Sequence, residues 1–190
     1  MRPKDENKIL AIYAATLYLN EALGFAGMTM SKIAKEAGIA TGTLYIYFKN
    51  KHELINSLYL HLKKQKAKNI LNDLNLEQPY KVLFKKLFIS SLANAISDFR
   101  EYAFLEQYFR SPFIDESVKI EGMQPFEPIF QIVEQARKNM VIKDLETIYI
   151  FASMNGLLNE FTKLIKENQI KWNEHSQQVM FDVLWDSIKN

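Results

Sequence analysis

The chain has no cysteine among its 190 residues, which removes disulfides, thiolate metal sites and cysteine nucleophiles together. Histidine is almost as scarce. His52, His61 and His175 are the only three, and none stands in an H-E-x-x-H pattern or beside a serine or aspartate that would complete a nucleophilic relay. With 6 glycines and 5 prolines there is no phosphate-cradling glycine loop. Glu116 and Glu121 miss the spacing that sets two carboxylates on one helical face, and no histidine–carboxylate group forms a metal set. An enzyme, a metal and a cofactor are therefore not expected. An N-terminal apolar run of signal type and an uninterrupted apolar stretch of spanning length are also missing, so the chain reads as soluble and cytoplasmic, with no membrane partner.

Apolar residues, by contrast, are plentiful. Hydrophobic residues make up 48% of the chain and aromatics 13%, enough to exclude disorder and to fill a sizeable core. The length suits one small and one larger domain. A formal net charge of +2 hides an asymmetry: residues 1–69 carry 11 Lys/Arg against 5 Asp/Glu, and residues 70–190 carry 13 against 17. A basic first part joined to a mildly acidic remainder suits a nucleic-acid-binding domain on a body that does not touch phosphate. Four of the early positives, Lys63, Lys64, Lys66 and Lys68, equally suit a solvated helix face.

The stretch Thr29 to Lys51, TMSKIAKEAGIATGTLYIYFKNK, carries the strongest local pattern. Thr29 can cap a helix that places Ile33, Ala34 and Ala37 at helical spacing. Gly38 supplies the positive φ of a sharp helix end, and Ile39 fills the angle before a second helix over Thr41 to Tyr47. Leu44 and Phe48, four residues apart, anchor that second helix inward. Its start instead carries Thr41, Gly42, Thr43 and Tyr45, small or hydrogen-bonding groups that let a backbone approach DNA. Ile46 either touches a thymine methyl or packs inside. Asn50 and Glu53 have the form of a capping box, so Lys51 falls in the first turn of a new helix, where amides and a positive side chain together make a phosphate clamp.

The pattern formed by Thr29, Ile33-Ala34, Ala37-Gly38, Gly42-Thr43-Leu44-Tyr45, Tyr47-Phe48 and Lys51 resembles that of the tetracycline-repressor-like (TetR) bacterial transcriptional regulators. It covers roughly the first quarter of the chain. Ala40 departs from it, standing where serine or threonine often caps the recognition helix. The resemblance implies an all-α fold with an N-terminal three-helix helix-turn-helix domain over 1–50. A larger helical regulatory and dimerisation domain follows over 51–190, entered by a linking helix at about 51–72. It also implies a transcriptional repressor released from a palindromic operator in double-stranded DNA by a small-molecule ligand. The residues it assigns to DNA are Thr29, Thr41, Gly42, Thr43, Tyr45, Tyr47, Lys49 and Lys51. Lys4 and Lys8 are further candidates for phosphate.

The rest of the chain is compatible with this reading. Asp5 to Leu23 has helical periodicity and Gly24 as its stop. Leu54, Leu58 and Leu62 continue the helix after Lys51, and Pro79 opens another through Leu83, Leu87, Leu92 and Ile96. Arg100 to Arg110 is a shorter helix, Ile114 to Ala136 is broken or kinked at Pro125 and Pro128, Asp144 caps a long helix, and Asn173 begins the last. That last helix is apolar on more than one side, which suggests a homodimer formed by Val179, Val183 and Trp185 with the small residues Ala152, Ser153 and Gly156. Two recognition helices about a two-fold axis would then read half-sites about 34 to 36 Å apart, or a multiple of that spacing. Candidates for a ligand pocket are Tyr102, Glu106, Phe109, Phe126, Phe130, Phe151 and Asn155, where aromatic surface meets a few polar groups. A second reading keeps the same DNA-binding domain but gives the second domain a protein partner in place of a small ligand.

Overall fold

The computed structural model describes residues 5–72 and 74–190, so Lys4 lies outside the described residues. The described chain is helical. Its elements are α1 (Glu6–Gly27), α2 (Met30–Glu36), α3 (Thr41–Tyr47), α4 (Lys51–Leu71), α5 (Tyr80–Ser97), α6 (Phe99–Phe109), α7 (Glu116–Met123), a 3-10 turn (Gln124–Phe126), α8 (Glu127–Lys138), α9 (Thr147–Lys166) and α10 (Glu174–Ile188). By packing they fall into two compact units. The first holds the chain up to Lys64 together with Arg100–Met123, and the second holds Gln65–Phe99 and Gln124–Asn190. α4 contributes to both.

In the first unit the local signals act as their chemistry requires. Asp5 accepts from the Asn7 amide at 3.1 Å and starts α1. Gly24, at φ 65° and ψ 175°, takes the chain out of helical geometry before one last turn. α1 is long and apolar enough by composition to cross a membrane, which the sequence did not suggest. Its apolar side is used within the unit, however, where Ile12, Leu17 and Leu19 are buried with Ile33, Ala34, Leu44, Leu54 and Leu58. Phe25 completes this core through rings 5.6 Å from Phe104 and 5.5 Å from Tyr108. Tyr59 of α4 stands edge-on to Tyr108 at 5.7 Å and lies directly against Gly122 of α7.

The second unit is built on mutual contacts among α5, α9 and α10. Leu83, Phe84, Leu87, Phe88 and Leu92 of α5 meet Met180, Phe181, Leu184 and Ile188 of α10, with Ile150 and Ile165 from α9. Proline punctuates as expected: Pro125 sits in the 3-10 turn and Pro128 in the first turn of α8, so Ile114 to Ala136 is two helices. α10 begins with a full capping box in which Asn173 accepts from the Ser176 amide at 2.9 Å and Ser176 accepts from Asn173 N–H at 3.1 Å. The chain beyond α10 pairs with the loop after α8, Lys143 N–H donating to Ile188 O at 2.8 Å.

Two expectations fail here. Asp144 does not cap α9, which begins at Thr147 after an uncapped Glu146. Its carboxylate instead accepts from Arg137 at 3.2 Å, and Arg137 also donates to Glu134 at 2.8 Å. Trp185, expected at a partner surface, is only 8% exposed, with rings of Phe181 at 6.0 Å and Phe84 at 5.8 Å against it. Large aromatic area returns most free energy when buried among other rings, and the core reached it first.

A β-carbon added at Gly122 would lie 2.6 Å from Tyr59 Cε1. Gly122→Ala is therefore expected to destabilise the protein by about 1–2 kcal/mol even after its gain in helix propensity, because the Tyr59 ring must leave its rotamer. Urea unfolding with an unchanged m-value checks this; a neutral or stabilising result would mean that the ring moves freely.

Candidate nucleic-acid interface

α2 and α3 have 7 residues each, too short to persist alone in water. Thr29 caps α2, its hydroxyl accepting from the Lys32 amide at 3.2 Å. Gly38 at φ +68° turns the chain, and Ile39 N–H reaches back to Ala34 O at 3.0 Å. α3 starts at Ala40 with no side-chain cap, as the absence of a hydroxyl there predicts. Leu44 and Phe48 are buried and hold α3 inward.

The outward side of α3 is open. Gly42 has nothing within 4 Å of an added β-carbon, and its φ lies outside the positive range. Neither backbone strain nor internal packing requires a glycine there. Tyr45 is 51% exposed and Ile46 74%, which removes the alternative that Ile46 packs inside. Thr41 and Thr43 are half-buried, and Thr29 and Lys49 are exposed. Tyr47 differs from its assignment: at 8% exposure most of its side chain belongs to the core with Leu44 and Phe48.

Lysine use at this site was not legible in the sequence. α1 has no basic residue in its last turn, and its end leaves carbonyls that need donors. Lys51 Nζ donates to Phe25 O at 2.8 Å and to Met28 O at 3.1 Å, while Lys32 Nζ donates to Gly27 O at 2.9 Å. Both lysines thus serve the negative end of α1, where cations are favoured. In the free chain Lys51 makes this tie, which fixes the start of α4 against the end of α1. Asn50 does cap α4, accepting from Glu53 N–H at 2.8 Å. Glu53 reaches one residue further back than a capping box, accepting from the Lys49 amide at 2.7 Å. Lys35 and Lys49 are exposed on the same unit.

A second set of polar groups lies deeper in this unit, on α4 and α6. The Tyr59 hydroxyl is buried and makes no hydrogen bond to another described residue. Burial raises its pKa to about 12, and the Glu106 carboxylate adds to the rise. Burial lowers the Lys63 ammonium, one turn further along α4, to about 8, against the opposing pull of Glu106. Tyr108 donates to Asn56 Oδ1 at 2.6 Å and to Phe113 O at 3.2 Å, and its own pKa rises to about 12, chiefly through burial.

The ligand candidates do not fall in one unit. Tyr102, Glu106 and Phe109 belong to the first and Phe126, Phe130, Phe151 and Asn155 to the second. Phe130 and Phe151 do meet, with ring centroids 4.7 Å apart. Phe109 is exposed, the Lys119 ammonium 5.8 Å from its ring, and Asn155 faces solvent, not the interior. Of the expected partner-facing residues, Ala152, Gly156, Val179 and Val183 are exposed and Ser153 is half-buried, its hydroxyl donating to Tyr149 O at 3.1 Å. Among the described residues no group of three or more His, Asp or Glu is placed to hold a metal.

A capped helix, a glycine turn and a short second helix with an open outer face define a helix-turn-helix unit of the DNA-binding type. Residues 12–58 match the family model described as bacterial regulatory proteins, tetR family. An uncharacterized HTH-type transcriptional regulator from Haemophilus influenzae is 29% identical over 114 residues, 57% of this chain and 61% of that protein. The chain thus spans less than two thirds of that relative. The crystal structure of a TetR family transcription regulator from Marinobacter aquaeolei superposes with a TM-score of 0.93 over 100% of both chains at 18% identity. A TetR-family transcriptional regulator from Haemophilus influenzae gives 0.81, also over 100% of both, at 20% identity. At such identities these two likenesses speak to the fold. The helix-turn-helix segment thus matches the tetR family of bacterial regulatory proteins, and the fold of the whole chain is that of the two structures.

The lysine geometry separates two roles. Lys51→Met is expected to lower stability by about 1–2 kcal/mol, since two carbonyls lose a charged donor. It is expected to leave the salt dependence of duplex binding unchanged, whereas Lys49→Met reduces that slope by about one. Thermal unfolding and fluorescence anisotropy at several salt concentrations check both; a reduced slope for Lys51→Met at unchanged stability would return Lys51 to the phosphates.

Proposed function

We propose that this protein is a cytoplasmic, dimeric transcriptional repressor that binds a palindromic DNA operator through α3 and is released by a small-molecule effector. The open outer face of α3 carries this reading. Glycine inside a helix costs about 1 kcal/mol relative to alanine, and at Gly42 the fold gains nothing in return. Close approach of another molecule accounts for it. Thr29, Thr41, Thr43, Tyr45 and Lys49 are the contact residues, and Lys51 holds the frame from behind.

The dimer rests on a second open surface. Ile148, Tyr149, Ala152 and Gly156 of α9 are exposed with Val179 and Val183 of α10, and Gly156 again has nothing near an added β-carbon. Apolar residues in two such rows favour a second copy of the same face. The effector reading rests on the Tyr59 hydroxyl, which is buried without a hydrogen bond to another described residue and calls for one. A coupling of roughly 1–3 kcal/mol between such a site and the operator would change occupancy 5- to 150-fold. Exposed Phe109, Phe113 and Ile120 support the alternative, a DNA-binding adaptor whose partner is a protein.

Upstream DNA of the gene and its neighbours is expected to contain a fragment bound more tightly than random duplex at moderate salt, and a compound from a metabolite library to release it. In the same assay Gly42→Ala raises stability by about 0.5–1 kcal/mol while weakening operator binding. Equal affinity for all duplexes would remove sequence-specific regulation, and release by a protein in place of any compound would favour the adaptor. For the dimer, Val183→Glu is expected to shift sedimentation at micromolar concentration from two copies to one with helicity retained; a monomeric parent chain would contradict the interface.

A further inference from the structure

Exposed isoleucines are common on soluble proteins and singly need no explanation. Ile46 is distinguished by what surrounds it. It is 74% exposed, one helical turn beyond Gly42, so the two share the outward side of α3. Gly42 has a backbone that any residue could adopt and open space where a side chain would go. α3 also begins without a side-chain cap. A helix of 7 residues therefore forgoes both a cap and a favourable interior residue, while its inward side is fully used by Leu44, Tyr47 and Phe48. The outer side is bare at Gly42, with Ile46 and Tyr45 exposed beside it.

Ile46 can neither donate nor accept a hydrogen bond, so it cannot read the polar pattern of a base edge. Among the groups that B-DNA displays in the major groove, the apolar one is the C5-methyl of thymine. We propose that Ile46 is a specificity-determining residue that packs on a thymine C5-methyl in each half-site, and that Gly42 provides the clearance bringing α3 within van der Waals reach. This rests on the DNA-binding reading above and adds which base it reads and by what contact. Cytosine at that position lacks the methyl and puts an amino group in the same region of the groove, so the apolar side chain discriminates against it as well.

The test uses the full chain and a randomised duplex from which bound sequences are selected. Each thymine of the selected half-site is then replaced by deoxyuridine, which removes the methyl and nothing else. At one thymine per half-site the replacement is expected to weaken binding about fourfold, the effect of one buried methyl-sized group, and about 15-fold when both half-sites are changed. In Ile46→Ala the same replacement has no effect, and in Ile46→Val part of it remains. Circular dichroism melting confirms that both variants fold, as expected for a side chain that is mostly exposed. If deoxyuridine costs the same in the parent chain and in Ile46→Ala, or costs nothing at every thymine, the assignment to Ile46 is overturned while sequence-specific binding stands. If no sequence is enriched, the DNA-binding reading falls and this inference falls with it.

Discussion

The placement of α3 depends on one burial. Neither of the short helices α2 and α3 can pay for its own ordering in water, so both exist by packing Ile33, Ala34, Leu44 and Phe48 against the core that α1 and α4 supply. Gly38 sets the angle at which this packing is possible. The ammonium groups of Lys32 and Lys51 then lock the frame by closing the carbonyl end of α1. With the inward side so committed, the outward side of α3 is free of structural duties, and its composition reports on whatever it meets.

How far the sequence carried this depends on the range of each interaction. Features set within about four residues were readable: Thr29 and Asn50 as caps, Gly38 as the turn, Pro125 and Pro128 as a break, Asn173 as the start of the last helix. Choices among several partners were not. Lys51 was expected on phosphate because its donors to the chain are answered by carbonyls 26 and 23 residues away. Asp144 lost its capping role to Arg137, and Trp185 lost its surface role to Phe84 and Phe181. Tyr47 carries the same lesson, since an aromatic ring beside Leu44 is drawn into a core whose extent no local pattern reveals. The orphaned hydroxyl of Tyr59 and the lowered pKa of Lys63 need the neighbours on α6 to be known.

α4 links these observations. Its first turn belongs to the frame that aims α3, through Lys51 and Asn50, and its middle carries Tyr59 into the aromatic core against Tyr108. The Tyr59 hydroxyl thus lies on the helix whose beginning frames the outward face of α3. The same unit therefore contains both the open face and the buried Tyr59 hydroxyl.

The most direct measurement of the central claim is hydroxyl-radical footprinting of the full chain with mass-spectrometric readout, with and without its upstream DNA. The account predicts protection of Tyr45 and Ile46 on adding DNA, with Tyr149 and Val183 of the second unit unchanged. Unaltered labelling of Tyr45 and Ile46 by DNA that is demonstrably bound would contradict it.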